Sequence, residues 1–299
     1  MRILLLGKDG QVGWELQRAL SPLGELVALD RDGAGSLVGE LGRPEALADT
    51  VRSVAPDAIV NAAAYTAVDR AESEPDAAHA VNALAPGVLA REAAALGAWL
   101  VHYSTDYVFD GSGTDPWLED SPTGPLNVYG RTKLEGETLV RASGCRHLLF
   151  RTSWVYAARG SNFARTMLRL AEERDSLRVI DDQSGAPTGA ELIADVTAHA
   201  LRAARADARL SGTYHLTAAG ETTWHGYARH VITRARQAGR ATLAGPDAVL
   251  PIPTSEFPTP ARRPHNSRLD SRRLREAFDL VLPHWTTGVD RMLDELPVR

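Results

Sequence analysis

A chain of 299 residues with 44% hydrophobic residues can bury a sizeable core, as one large domain or two interlocked ones, which excludes a disordered chain. A net charge of -5 supplies no broad basic surface and argues against nucleic acid or an acidic membrane as the main partner. The one cysteine, Cys145, excludes an internal disulfide framework and suits a reducing cytoplasm.

The chain opens on Arg2 and the apolar run Ile3 to Leu6, which Gly7-Lys8-Asp9-Gly10 stops well short of a signal-peptide core, so the run reads as a strand. No later stretch reaches the roughly eighteen apolar residues that span a bilayer, and a soluble, cytoplasmic protein is expected. Strand-length apolar runs follow at Leu26 to Leu29, Ala58 to Val60, Trp99 to His102 and His147 to Phe150. Between them, Val12 to Leu20, Pro44 to Val54, Asp76 to Leu96 and Tyr129 to Ala142 have the length and spacing of crossover helices. This alternation predicts an α/β fold, a doubly wound parallel sheet of the Rossmann type. Near residue 155 the rhythm changes. Asn162 to Glu173 reads as a helix, Leu177 to Ile180 as a strand, Ala190 to Ala204 as a helix and Thr213 to Leu216 as a short strand. The proline-rich segment from Gly245 to His265 reads as an ordered loop over a site, or a connector, and helices return at Ser271 to Ala277 and Val289 to Leu296.

Gly7, Gly10 and Gly13 punctuate the turn between the first strand and the first helix, with Gln11 and Val12 opening that helix. Glycines there permit a tight turn and close approach of a pyrophosphate, and the helix N-terminus offers unpaired amides to its charge. Asp30 ends the second strand, where a carboxylate would bond the adenosine ribose hydroxyls and favour NAD; Arg31 beside it could take a 2'-phosphate and favour NADP. A solvated charged turn is the competing reading of that pair. Asn61-Ala62-Ala63-Ala64-Tyr65 closes the third strand with small residues, leaving room for a cofactor over the strand ends, and Glu40-Leu41 could approach its adenine.

Tyr103-Ser104-Thr105-Asp106-Tyr107 follows the fourth strand, so Thr105 would stand at the carboxyl edge of the sheet, where such folds bind ligands. On a helix, Tyr129 and Lys133 fall one turn apart on one face. A phenol holds its proton to about pH 10, and a neighbouring ammonium would favour its ionised form. The bland alternative is a solvent-facing helix on which Lys133 pairs with Glu137 and Arg131 with Glu135.

A glycine loop spaced G-x-x-G-x-x-G, the N-A-A-A run, a Ser/Thr after strand four and Y-x-x-x-K together resemble the extended short-chain dehydrogenase/reductase family. The runs Gly7 to Leu16, Tyr103 to Gly111, Pro125 to Lys133, Arg151 to Tyr156 and Asp182 to Thr188, with Arg263-Pro264 and Asn266-Ser267, are similar to its dTDP-4-dehydrorhamnose reductase branch. The resemblance implies reduction of the C4 ketone of dTDP-4-dehydro-L-rhamnose by hydride from NADPH or NADH. Tyr129 would then donate the proton. Lys133 would lower the tyrosine's pKa and hold the nicotinamide ribose, and Thr105 would orient the carbonyl. Tyr103 joins the cofactor set on the same ground. It further implies that Asp106 and Trp154 touch the nucleotide-sugar, although Trp154 also reads as a core tryptophan. Arg262 or Arg263 could clamp the substrate diphosphate. Glu15 and Glu191 match positions that hold a Mg²⁺ shared between subunits in some relatives, so the resemblance allows Mg²⁺ and a homodimer here; exposed helix-surface charges are the competing reading of both. Late segments, about 189–216, would return to a cofactor domain spanning residues 1–155, leaving 156–299 as a smaller, interleaved C-terminal domain for the nucleotide-sugar. A 4,6-dehydratase would need an Asp-Glu pair, and here Asp106 precedes Tyr107. A 4-epimerase, or a non-catalytic regulatory subunit with a retained cofactor fold, stays as an alternative.

Overall fold

The computed structural model describes residues 1–296. Its centre is a six-stranded, wholly parallel sheet of β1 (Arg2–Leu6), β2 (Glu25–Leu29), β3 (Ala58–Asn61), β4 (Trp99–Thr105), β5 (Arg146–Thr152) and β7 (Gly212–His215). Across the sheet the order is 2-1-3-4-5-7. The order reverses between β1 and β3, so their carboxyl ends open a crevice at the edge where doubly wound sheets bind ligands. The sheet carries helices on both faces, as the alternation predicted.

The period of a strand explains the two layers. In β1, Ile3 and Leu5 face one core with Leu16 and Leu20 of α1 (Gln11–Leu20), while Leu4 and Leu6 face the other with Leu47 and Val51 of α2 (Pro44–Val54). The second layer also holds Leu89 and Ala93 of α3 (Ala85–Leu96) and Val140 of α4 (Val128–Ala142). Helix α6 (Ala190–Ala206) returns to pack on α1, and β7 then adds to the sheet beside β5. A smaller assembly of α5 (Phe163–Glu173), α7 (Trp224–Gln237) and α8 (Trp285–Glu295) shares a core of Leu168, Tyr227, Val231 and Val289. No helix among the described residues is long and apolar enough to cross a membrane.

Two expectations are corrected, and one helix is added. The single helix from Asp76 to Leu96 is interrupted: Pro75–His79 gives way to a π-helical turn, Ala80–Leu84, before α3 begins. Pro86 cannot donate to an ordinary helical bond, and a widened turn absorbs the loss. The turn also lets α4 come close, since a Cβ on Gly136 would stand 2.2 Å from the Asn82 carbonyl oxygen. The segment from Gly245 to His265 is not loop throughout, because β8 (Val249–Ile252) pairs in parallel with β6 (Leu177–Ile180), with Pro251 opposite Val179. The pair forms its own two-stranded sheet, in which every strand is an edge and a proline is tolerated. Helix α7 was unassigned from sequence. Its buried positions, Tyr227, Ala228, Val231, Ile232 and Ala235, follow helical spacing, and Thr223 caps its start by accepting the Gly226 N–H at 3.0 Å.

Candidate active site

The glycine turn folds on itself. A Cβ on Gly13 would stand 1.9 Å from the Gly7 carbonyl oxygen, and one on Gly7, whose φ is +83°, would stand 2.8 Å from the Ala63 nitrogen. The first is a packing requirement of α1 against the turn and the second a close approach of two strand ends. Helix α1 starts with Gly10 as its cap, without a side-chain hydrogen bond and without an acidic residue in its first turn. Its leading amides therefore face the crevice unpaired, which fits the diphosphate of a dinucleotide.

Two cavities meet over this turn and share Gly7, Gly10, Ala63 and Ala64. The first, about 510 Å³, is also lined by Gln11, Val12, Tyr103, Thr105, Asp106, Tyr129, Lys133 and Trp154, but not by Arg263. The second, about 670 Å³, holds Asp30, Arg31, Glu40, Leu41 and Tyr65. Asp30 is paired there with Lys8, Nζ to Oδ2 2.7 Å, and this partner holds its carboxyl below the usual range. Arg31 pairs with Glu40, and the Tyr65 hydroxyl donates to Glu74 at 2.6 Å. The backbone of Tyr65 is pinned by buried Asn82, presented from the π-helical turn, whose Oδ1 accepts the Tyr65 N–H at 2.9 Å.

Asn127 fixes the start of α4. Its Oδ1 accepts the Gly130 N–H at 2.8 Å and its Nδ2 donates to the Arg262 carbonyl at 2.8 Å, so the helix carrying Tyr129 is tied to the proline-rich segment. Thr105, last in β4, donates to Asp106 Oδ1 at 3.0 Å and accepts the Tyr107 N–H at 3.1 Å. Tyr107 meets the Tyr129 ring edge-on, with centroids 5.7 Å apart.

The electrostatics depart from the expectation that Lys133 lowers the pKa of Tyr129. Burial pushes the phenol up to about 12, the Asp106 carboxylate adds to the rise, and only its hydrogen bond with Thr105 opposes it. Burial likewise pushes Asp106 up to about 7, with the Ser267 and Thr105 hydroxyls opposing. Lys133 is itself pushed down to about 8 by burial. Its Nζ is turned toward the sheet, donating to the Tyr103 carbonyl at 2.6 Å with His102 Nε2 at 3.3 Å. Nor does Lys133 sit on a solvated face paired to Glu137. Glu137 is fully buried and belongs to Arg151, which donates to its carboxylate at 2.9 and 2.7 Å.

The remaining predicted residues divide. Trp154 lines the first cavity at φ +49° and stacks on Trp224 with centroids 3.6 Å apart, a partner that the sequence reading missed. Arg263 is not free for a diphosphate, since it forms a two-pronged bridge to Asp69 at 3.0 and 2.8 Å. Pro264 packs on Gly111 and Asn266 binds the carbonyls of Ser112 and Asp115, so this motif straps down the loop after β4. Glu15 and Glu191 are neighbours away from the cavity, on α1 and α6. Arg18 bonds Glu15 and Arg291 faces Glu191 at 3.4 Å. Among the described residues no group of three or more His, Cys, Asp or Glu is placed to hold a metal ion.

A family model described as the RmlD substrate binding domain matches residues 1–298. The dTDP-4-dehydrorhamnose reductase of Shigella flexneri is 57% identical over 296 residues, 99% of this chain and 98% of that protein. Among solved structures, the dTDP-4-dehydrorhamnose reductase of Clostridium acetobutylicum superimposes with a TM-score of 0.87 at 34% identity, covering 98% of this chain and 99% of that one. The Bacillus anthracis enzyme, solved in complex with NADP, does so with a TM-score of 0.87 at 32% identity and the same coverage.

Proposed function

The chain belongs to the RmlD substrate-binding-domain family, in company with the dTDP-4-dehydrorhamnose reductases it resembles along its length, and from that membership we propose that it reduces dTDP-4-dehydro-L-rhamnose to dTDP-L-rhamnose. The observation that carries the reading is the meeting of Thr105, Tyr129 and Lys133 in one cavity with the glycine turn. The cofactor is NADPH or NADH; its diphosphate would rest on the amides of Gln11 and Val12, since the Gly10 amide donates to the Gly7 carbonyl at 3.1 Å, and its adenosine would enter the cavity of Asp30, Arg31, Glu40 and Leu41. When bound, it supplies the hydride that adds to C4 of the sugar.

As that carbon gains the hydride, the carbonyl electron pair moves to oxygen and Tyr129 gives its proton to it, leaving a phenolate that water reprotonates. A phenol held protonated by burial suits this order, because the proton stays on Tyr129 until negative charge grows opposite it. Thr105, in the same cavity as the phenol, would turn its hydroxyl from Asp106 to the ketone oxygen and keep that oxygen within range of the donor. Lys133 would hold the nicotinamide ribose. The Trp154 and Trp224 stack offers a flat face to the sugar, with Asp106 at its hydroxyls. Arg263 reaches a substrate diphosphate only by leaving Asp69.

We assign residues 1–155, with 189–216, to cofactor binding and the rest mainly to the nucleotide-sugar, and we place the reaction in the cytoplasm. Mg²⁺ enters only as an ion shared by a homodimer, because it demands near-octahedral oxygen ligands and Glu15 with Glu191 would need more from a second copy. The test is loss of absorbance at 340 nm when the protein, NADPH or NADH, and dTDP-4-dehydrorhamnose are mixed. Loss with either cofactor and formation of dTDP-rhamnose supports the reading, and silence with both refutes it.

A further inference from the structure

His102 lies on β4 beneath Lys133, buried together with Asn61 at the end of β3. Its Nδ1 is 3.2 Å from Asn61 Nδ2, and its Nε2 is 3.3 Å from Lys133 Nζ. A neutral imidazole has one N–H and one lone pair, so one nitrogen must meet a donor and the other an acceptor. Asn61 decides which. Its Oδ1 accepts the Ala63 backbone N–H at 3.2 Å, so the amide's NH₂ end faces Nδ1. Nδ1 is then the acceptor, and the ring proton sits on Nε2, pointing at Lys133. A doubly protonated ring is disfavoured, since burial, the largest cause, holds His102 well below the usual histidine range.

An ammonium carries three N–H groups and no lone pair, so it would set proton against proton at Nε2. A neutral amine accepts the Nε2–H while still donating to the Tyr103 carbonyl at 2.6 Å. The opposite amide orientation would cost Ala63 its partner. The other charged and titratable groups near Nζ are Glu137, committed to Arg151 and Arg141, and Tyr129 with Asp106 behind it. Glu137 favours the ammonium and burial opposes it more strongly.

We propose that His102 is a positioning residue that favours the neutral amine form of Lys133 in the empty site, so that seating the nicotinamide cofactor draws a proton from solvent onto those molecules in which Lys133 is the amine. The inference rests on the reading that Lys133 holds the nicotinamide ribose. The ribose oxygens accept N–H groups that only the ammonium can supply in addition to the one given to Tyr103, and the cofactor diphosphate adds negative charge nearby. Nothing is oxidised in this step, and the proton is the only species exchanged.

Titration calorimetry of NADPH into the protein at pH 8, in two buffers of different ionisation enthalpy, counts the protons taken up. Wild type is expected to take up about half a proton per cofactor, since Lys133 titrates near that pH. His102→Gln turns an amide oxygen toward Nζ, and His102→Asn keeps the Asn61 bond while removing the Nε2–H. Both should lower uptake to about half of the wild-type value, since burial continues to favour the amine after the Nε2–H is gone. Binding without uptake in wild type, or equal uptake in the variants, would overturn the inference alone. Absence of NADPH binding would overturn the nicotinamide reading and this one with it.

Discussion

Lys133 Nζ donates to the carbonyl oxygen of Tyr103 at 2.6 Å, on the next strand end, rather than to the phenol of Tyr129 one helical turn away. The lysine is thereby tied to the sheet, beneath the floor of the cavity. Lys133→Met is expected to weaken NADPH binding about tenfold or more, by loss of a charged hydrogen bond, and to slow turnover about a hundredfold. Fluorescence titration of NADPH checks the first effect, and an unchanged affinity would remove Lys133 from the cofactor site.

Asp106 gives the fold a pH dependence of definite sign. Its carboxyl rises from 3.8 in the ordinary state to about 7 in the folded one, so between those values the native state binds the extra proton. Its contribution is fully present below pH 3.8 and is lost as pH rises through about 7. Unfolding by urea at pH 5 and pH 8 should show a stability difference from this group of about 3 kcal/mol, in favour of pH 5. Asp106→Asn should remove that difference, and a slope unaltered in the variant would contradict the assignment.

The bond between β5 and α4 is the buried pair of Arg151 and Glu137, with Arg151 also donating to the Glu119 carbonyl at 3.0 Å. Arg151→Met leaves a buried carboxylate on the active-site helix with Arg141, itself partly exposed, as its remaining ion pair. The expected cost is about 3–5 kcal/mol in urea unfolding. A cost under about 1 kcal/mol would mean that the pair is solvated in the native state.

Trp224→Ala removes the ring against which Trp154 stacks while leaving Thr105, Tyr129 and Lys133 untouched. The expected result is a KM for the nucleotide-sugar raised about tenfold, with kcat changed less than about threefold. A fall in kcat at unchanged KM would show that the stack does not meet the substrate.

Much of this site could be read in the sequence because it depends on local spacing. Gly7, Gly10 and Gly13 belong to one strand-turn-helix, and Tyr129 with Lys133 to one helical face, so periodicity and turn chemistry suffice to bring them together. What escaped depends on long-range partners. Trp154 looks like a core tryptophan until α7, masked by its histidines and arginines, brings Trp224 against it. Arg263 looks like a free cation until Asp69, from the other end of the chain, claims it. His102 reads as one more residue of a buried strand, and nothing in its neighbourhood in sequence announces Lys133 on one side and Asn61 on the other. The direction of the Tyr129 shift was missed for the same reason: spacing supplied the ammonium, but burial and Asp106 set the balance.

The proton donor is the centre of the account, and Tyr129→Phe tests it most directly. Single-turnover oxidation of NADPH by dTDP-4-dehydrorhamnose should slow about a hundredfold or more in this variant, with NADPH affinity within about twofold of wild type. Turnover near the wild-type rate in the phenylalanine variant would contradict the role given to Tyr129.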